Sequence, residues 1–281
     1  MIDQFPVSFL DSFSGIPALY SLRTAYITAI IRKQSALLCR KTVTADTIIC
    51  NCGGLMMEKS DGSKGRSMLR RLSQHYRIHK VDIGEDARMA KRGFVFVTRT
   101  YEIEDVGHLC IMNMKAMFGL MRMETVILAS TKKDMPLMNL DWVQVPGKQT
   151  LLGELYDTQL TPWPEESQAA FAKISDRDHD LPDYSSGSEH WYDSLLYPCS
   201  YHKTGRGIGS RLESAAADFS TLFISQLAEA PACDEEAKKA LTEAFAQKLA
   251  ANGGSAVNLF TKLFGQETAD RMIMNHMYGV R

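Results

Sequence analysis

Two carboxylates stand out by their surroundings. Glu124 lies in Leu120-Met121-Arg122-Met123-Glu124-Thr125-Val126-Ile127-Leu128, a largely apolar run. A carboxylate there is costly to bury unless it is paired. The plain reading of Glu124 is a strand residue that faces solvent or pairs with Arg122. Asp141 closes Leu137-Met138-Asn139-Leu140-Asp141, just before Trp142. Its plain reading is a turn or edge-strand aspartate bonded to backbone.

Other reactive side chains point to no familiar centre. The six cysteines, Cys39, Cys50, Cys52, Cys110, Cys199 and Cys233, are irregularly spaced. Cys50-Asn51-Cys52 is too tight for a zinc-knuckle pair, and no His/Cys pair follows at ligand spacing. Free thiols in a reducing, cytoplasmic compartment are expected. Gly205-Arg206-Gly207-Ile208-Gly209 looks glycine-rich, but it follows no clear strand, so it is weak evidence for a nucleotide. There is no Walker loop, GxSxG or HExxH.

The elements that would position these residues read as one domain over 1–281. An amphipathic helix is expected over 21–40 and a short strand over Thr47–Cys50. A helix over Arg66–Tyr76 precedes a β-rich middle that begins at Gly93. Strands are expected over Gly107–Met114, Gly119–Ala129 and Thr150–Tyr156, with Leu137–Val145 as a further candidate. The turns Lys132-Lys133-Asp134 and Pro146-Gly147-Lys148 are short, which suits an antiparallel meander rather than βαβ units. Helices are expected over Glu165–Ile174, Ser210–Leu227, Asp234–Ala251 and Ser255–Met277, with Asp234 as an N-cap. The layout predicts an α/β/α sandwich with a central, mainly antiparallel sheet.

Three segments, in order, resemble the ferredoxin-dependent bilin reductases. The first is Gly119–Leu128 followed by Asp134-Met135-Pro136-Leu137-Met138-Asn139-Leu140-Asp141-Trp142, similar to two adjacent strands ending in the family's Leu-Pro-x-x-x-x-Asp. The second is Leu155-Tyr156-Asp157-Thr158-Gln159-Leu160. The third is Phe264-Gly265-Gln266-Glu267-Thr268-Ala269-Asp270-Arg271-Met272, similar to a closing Phe-Gly-x-x-x-Ala-x-x-Tyr with Met272 in place of the tyrosine. The red chlorophyll catabolite reductases are relatives of the same kind.

The resemblance implies a reductase of an open-chain, biliverdin-like tetrapyrrole that holds no cofactor of its own. Ferredoxin or flavodoxin would deliver electrons one at a time, and pocket side chains would supply protons. Asp141 falls where the family places its central catalytic aspartate. Glu124 falls where one branch has a catalytic histidine, and Asn113 near a further acidic position. Asn113 is no acid, which favours a two-electron reduction. Arg206, Arg211 and Lys248 lie where cations would meet the two propionates. Asp157 lies in the second segment, and Trp191 is placed to stack on a ring. Arg206, Arg211 and Lys248 also have a plain reading as exposed charges, and Trp191 as core packing. A carrier that binds a linear tetrapyrrole without catalysis, and a chlorophyll-catabolite reductase, are the alternatives.

Composition sets the remaining bounds. The chain is 45% apolar and 23% charged, with formal net charge −1, so no global field points to nucleic acid. The N-terminus has no basic lead, and no apolar run approaches the roughly 20 residues of a membrane span. An acidic electron donor would need a local basic patch. Lys64, Arg66, Arg70 and Arg71 form one candidate; Lys132, Lys133 and Lys148 form another.

Overall fold

The computed structural model describes residues 63–280. The expected helix over 21–40, the strand at 47–50 and Cys39, Cys50 and Cys52 lie outside the described residues.

Alternating burial builds the sheet. In β3 (Phe94–Ile103), Phe96, Thr98 and Thr100 are buried while Val97, Arg99 and Tyr101 are half-buried. The other long strands are β4 (Gly107–Ala116), β5 (Met121–Ser130), β6 (Leu137–Val145) and β7 (Lys148–Tyr156). Each pairs antiparallel with the next. Short β1 (Ile78–Val81) and β2 (Arg88–Lys91) both flank β3, and β8 (Tyr201–Gly205) pairs with β7 at the other edge. The result is an eight-stranded antiparallel sheet. The expected meander is present.

Helices cover both faces. On the first lie α1 (Lys64–Leu72), α2 (Glu165–Arg177) and α3 (Gly209–Glu229). Met68 and Leu72 of α1, Phe171 of α2, and Phe219 and Phe223 of α3 form one core with Leu109, Ile111, Val126, Leu140 and Trp142 of the sheet. Each such side chain contributes about 1.5–3 kcal/mol by leaving water. Phe219 sits directly over Gly153: a Cβ there would stand 2.9 Å from its ring. The second face carries α4 (Glu235–Asn252), α5 (Ser255–Phe264), α6 (Gln266–Arg271) and a π-helical turn, Met272–Met277. Phe96 of the sheet meets Phe260 of α5 at 4.6 Å.

Local signals explain the boundaries. Asp234 caps α4 as expected, accepting from Ala237 N at 3.0 Å. The single helix expected over Ser255–Met277 is broken at Gly265, whose φ of 92° ends α5 and starts α6. The strand expected from Gly119 begins at Met121, because Met117–Gly119 forms a left-handed turn instead. The glycine-rich run does follow a strand, contrary to expectation: it joins β8 to α3. It belongs to no βαβ unit, and the Gln149 side chain lies 2.7 Å from where a Gly209 Cβ would be.

Candidate functional site

The second face carries a polar row. Met112, Thr125, Asp141, Leu152 and His202 are register partners across β4 to β8. Two residues along, Ile127, Asn139 and Glu154 are partners and share that face. Thr125 Oγ1 donates to Asp141 Oδ1. Asn139 Nδ2 donates to both carboxylates, at 3.0 Å to Asp141 Oδ2 and 2.9 Å to Glu154 Oε2. Tyr156 hydroxyl donates to Glu154 Oε2 at 2.8 Å, and His202 Nε2 stands 3.4 Å from Glu154 Oε1.

The two carboxyls are driven apart. Burial, reinforced by the neighbouring charge of Glu154, pushes Asp141 up to about 6, against the bonds from Thr125 and Asn139. Burial would also raise Glu154, but His202, Asn139 and Tyr156 together hold it below the ordinary carboxylate value. One carboxyl thus keeps its proton far longer than the other, which is how a site separates an acid from a permanent anion. Buried Tyr278 faces both carboxyls, and burial with their charges raises its hydroxyl.

The face is also short of hydrogen-bond partners. Thr98 Oγ1, Thr100 Oγ1, Asn139 Oδ1 and His202 Nε2 are buried and make no well-aligned hydrogen bond within the described residues; of such atoms only Gln226 Oε1 lies elsewhere. An aromatic wall borders the site. Tyr156 meets Tyr192 at 6.0 Å and Phe245 at 4.9 Å, and Phe245 meets Tyr278 at 5.6 Å. Trp191 joins this wall, 5.4 Å from Phe245, with its indole N–H donating to Gly253 O at 3.2 Å. Cys110 shares the face, but burial pushes its thiol up to about 12, so it is no nucleophile at neutral pH.

The structure separates the residues expected to act together. Glu124 lies on the first face, not beside Asp141. Its carboxylate accepts from Ser63 Oγ, Lys64 N at 3.0 Å and Gly65 N at 2.9 Å, so it serves the N-terminus of α1. It does not pair with Arg122, whose Nε donates to Gly119 O. Asn113 is the register partner of Glu124 and shares its face. Each stands one residue from Met112 or Thr125, the positions in the Asp141 row. Arg211 also lies away from the site, holding Asp178 at 2.8 Å and Asp180 at 2.7 Å. Arg206 and Lys248 are exposed, and exposed Asp157 accepts from Tyr197 hydroxyl at 3.2 Å. Of the expected binding residues, Trp191 alone borders Asp141's surroundings.

Lys64 of the first expected basic patch is engaged elsewhere, and the second patch is split. Lys64 lies over the Trp142 ring at 3.7 Å and pairs with Glu213 at 3.4 Å. Lys132 and Lys133 sit at the β5–β6 end of the sheet, whereas Lys148 opens β7 at the opposite end.

Sequence reasoning missed Asn139, Glu154, Tyr156 and His202. A signal existed: Asn139 and Asp141, and Glu154 and Tyr156, are polar pairs two residues apart in apolar strands, so each pair shares one face. Among the described residues no group of three or more His, Cys, Asp or Glu could hold a metal ion. Cys110, Cys199 and Cys233 are free thiols, as expected.

No protein-family model matches the sequence, and no curated protein matches it. The fold does have solved counterparts. The chain is similar in fold to phytochromobilin synthase from tomato, a crystal structure of which holds biliverdin, with a TM-score of 0.62 and 12% identity over 76% of this chain and 81% of that one.

Proposed function

We propose that this protein is a reductase of an open-chain, biliverdin-like tetrapyrrole, with Asp141 as the acid that protonates it. The observation that carries the reading is the Asp141 carboxyl, which holds its proton to about pH 6 on a partner-poor sheet face. The fold's likeness to a biliverdin-binding enzyme supports the substrate class. A conjugated tetrapyrrole becomes more basic on gaining an electron, so a neutral carboxyl beside it becomes an effective donor. Two electrons, delivered singly by a ferredoxin or flavodoxin, and two protons convert the bilin to its dihydro product. No resident cofactor takes part. Glu154, held ionised, keeps Asp141 protonated by its charge; Trp191, Tyr192 and Phe245 offer the flat surface a pyrrole ring needs.

The test is an anaerobic absorbance titration with biliverdin, followed by a ferredoxin-reducing system. A sharpened, red-shifted band on mixing and a blue shift on reduction are expected. Asp141→Asn should keep the first change and lose the second about a hundredfold in rate. Binding by both proteins with no reduction by either identifies a carrier. No spectral change on mixing rejects the bilin assignment.

A further inference from the structure

Val95, Lys115, Arg122, Gln144, Gln149 and Gly205 form one register row across β3 to β8. Beyond that row four connections emerge side by side at one end of the sheet. They are Lys91-Arg92-Gly93 between β2 and β3, Met117–Leu120 between β4 and β5, Pro146-Gly147 between β6 and β7, and Arg206-Gly207 after β8. At strand spacing they extend over about 25 Å.

The longest of them is an apolar tip held outward. Phe118 is 97% exposed, Leu120 41% and Met117 37%. Met117, Phe118 and Gly119 all have left-handed backbone, with φ of 51°, 58° and 87°. For methionine and phenylalanine that conformation costs about 1–3 kcal/mol each, so it persists only where its surroundings impose it. Arg122 latches the base of the loop through its bond to Gly119 O at 3.2 Å. The loop spends conformational energy to keep a phenylalanine in water, the opposite of what stability alone favours.

Cations surround the tip. Lys91, Arg92, Lys115, Arg122 and Arg206 are exposed, and Lys148 is half-buried. Residues 91–93, 115–122, 145–148 and 205–207 contain no Asp or Glu. A chain of net charge −1 therefore concentrates positive charge at one end of its sheet. Apolar side chains that project beyond a ring of lysine and arginine match the interface of an anionic bilayer. The tip enters the acyl boundary and the cations meet the headgroups. A convex tip needs no socket there, whereas a protein partner must present one.

We infer that this hairpin end is a docking surface for an anionic lipid bilayer. The attachment is peripheral: no helix among the described residues is long and apolar enough to cross a membrane. It goes beyond the sequence reading, which found only that no apolar run approaches a membrane span, and it stands independently of the bilin reading.

The test is sedimentation of the full chain with vesicles of equal parts phosphatidylcholine and phosphatidylserine, beside vesicles of phosphatidylcholine alone. Binding to the mixed vesicles only, reversed by salt, is expected. Phe118→Ser should weaken it about tenfold, and Lys115→Glu at least about fivefold. Both residues are exposed, so the variants should melt and bind biliverdin as the parent does. A parent that stays in the supernatant with mixed vesicles at low salt overturns the inference. So do variants that sediment like the parent. Should the parent ignore vesicles yet be retained by an acidic iron–sulfur protein, with Phe118→Ser not retained, the surface serves a protein and the lipid assignment fails.

Discussion

The two faces of the sheet use the same strands to opposite ends. On the first, apolar residues interlock with α1, α2 and α3, and the polar groups are paired: Tyr201 donates to Asp178, Arg211 holds Asp178 and Asp180, and Lys203 holds Asp183. On the second, two carboxyls share one amide, and four buried polar atoms lack a well-aligned partner. Unpaired buried polar groups cost stability. Four of the five such atoms among the described residues gather on the second face, and the fifth, Gln226 Oε1, belongs to α3 on the first.

The largest test of that contrast is Phe219→Ala. Emptying the space over Gly153 should cost about 3–5 kcal/mol of unfolding free energy in urea, with biliverdin reduction per folded molecule unchanged. A loss of activity without loss of stability would reverse the assignment of the faces.

Asp141→Asn should do the converse. A carboxyl whose folded pKa is raised to about 6 binds more protons folded than unfolded between about pH 4 and 6. The parent therefore loses stability as pH rises through that window, and above it the asparagine variant should be more stable by about 3 kcal/mol. Thermal melts at pH 4 and pH 8 read the difference, which should vanish at the lower pH. Equal melting shifts at both values would show that Asp141 ionises as an ordinary aspartate.

Glu124→Gln should cost about 1–2 kcal/mol, through weakened contacts at the α1 N-terminus. Bilin reduction should be retained. A selective loss of turnover would return Glu124 to the chemistry, despite its place on the first face.

The smallest effect separates an unpaired from a paired hydroxyl within the second face. Thr100→Val, which replaces an unpartnered buried hydroxyl, should be neutral or stabilising by up to about 1 kcal/mol. Thr150→Val should destabilise by a similar amount, because Thr150 and Thr204 hydroxyls share a bond at 2.7 Å. Denaturant midpoints of the pair decide it.

Much of the architecture was legible because its signals are local. Asp234 at the head of α4, the short turns of the meander and the apolar strand runs each carry their meaning within a few residues. β1, β2 and β8 were not read, being four or five residues long and formed by pairing with distant partners. Asp141 was singled out from the sequence; the residues that bond it were not. Glu124 and Asn113 show why. A register error of one residue leaves the strand correct and moves the side chain to the opposite face. His202 was out of reach for another reason, since only the pairing of β8 with β7 brings it to Glu154.

Asn139 has a consequence for how charge and protons move through the site. Its single amide touches both carboxyls, so a change at one is felt at the other. Yet an amide nitrogen does not readily surrender or accept a proton. Asn139 is therefore a conductor for electrostatics and an insulator for hydrogen ions. If Asp141 is the proton donor proposed above, Glu154 cannot refill it through this contact, and the replacement proton must reach Asp141 by a route that bypasses Asn139.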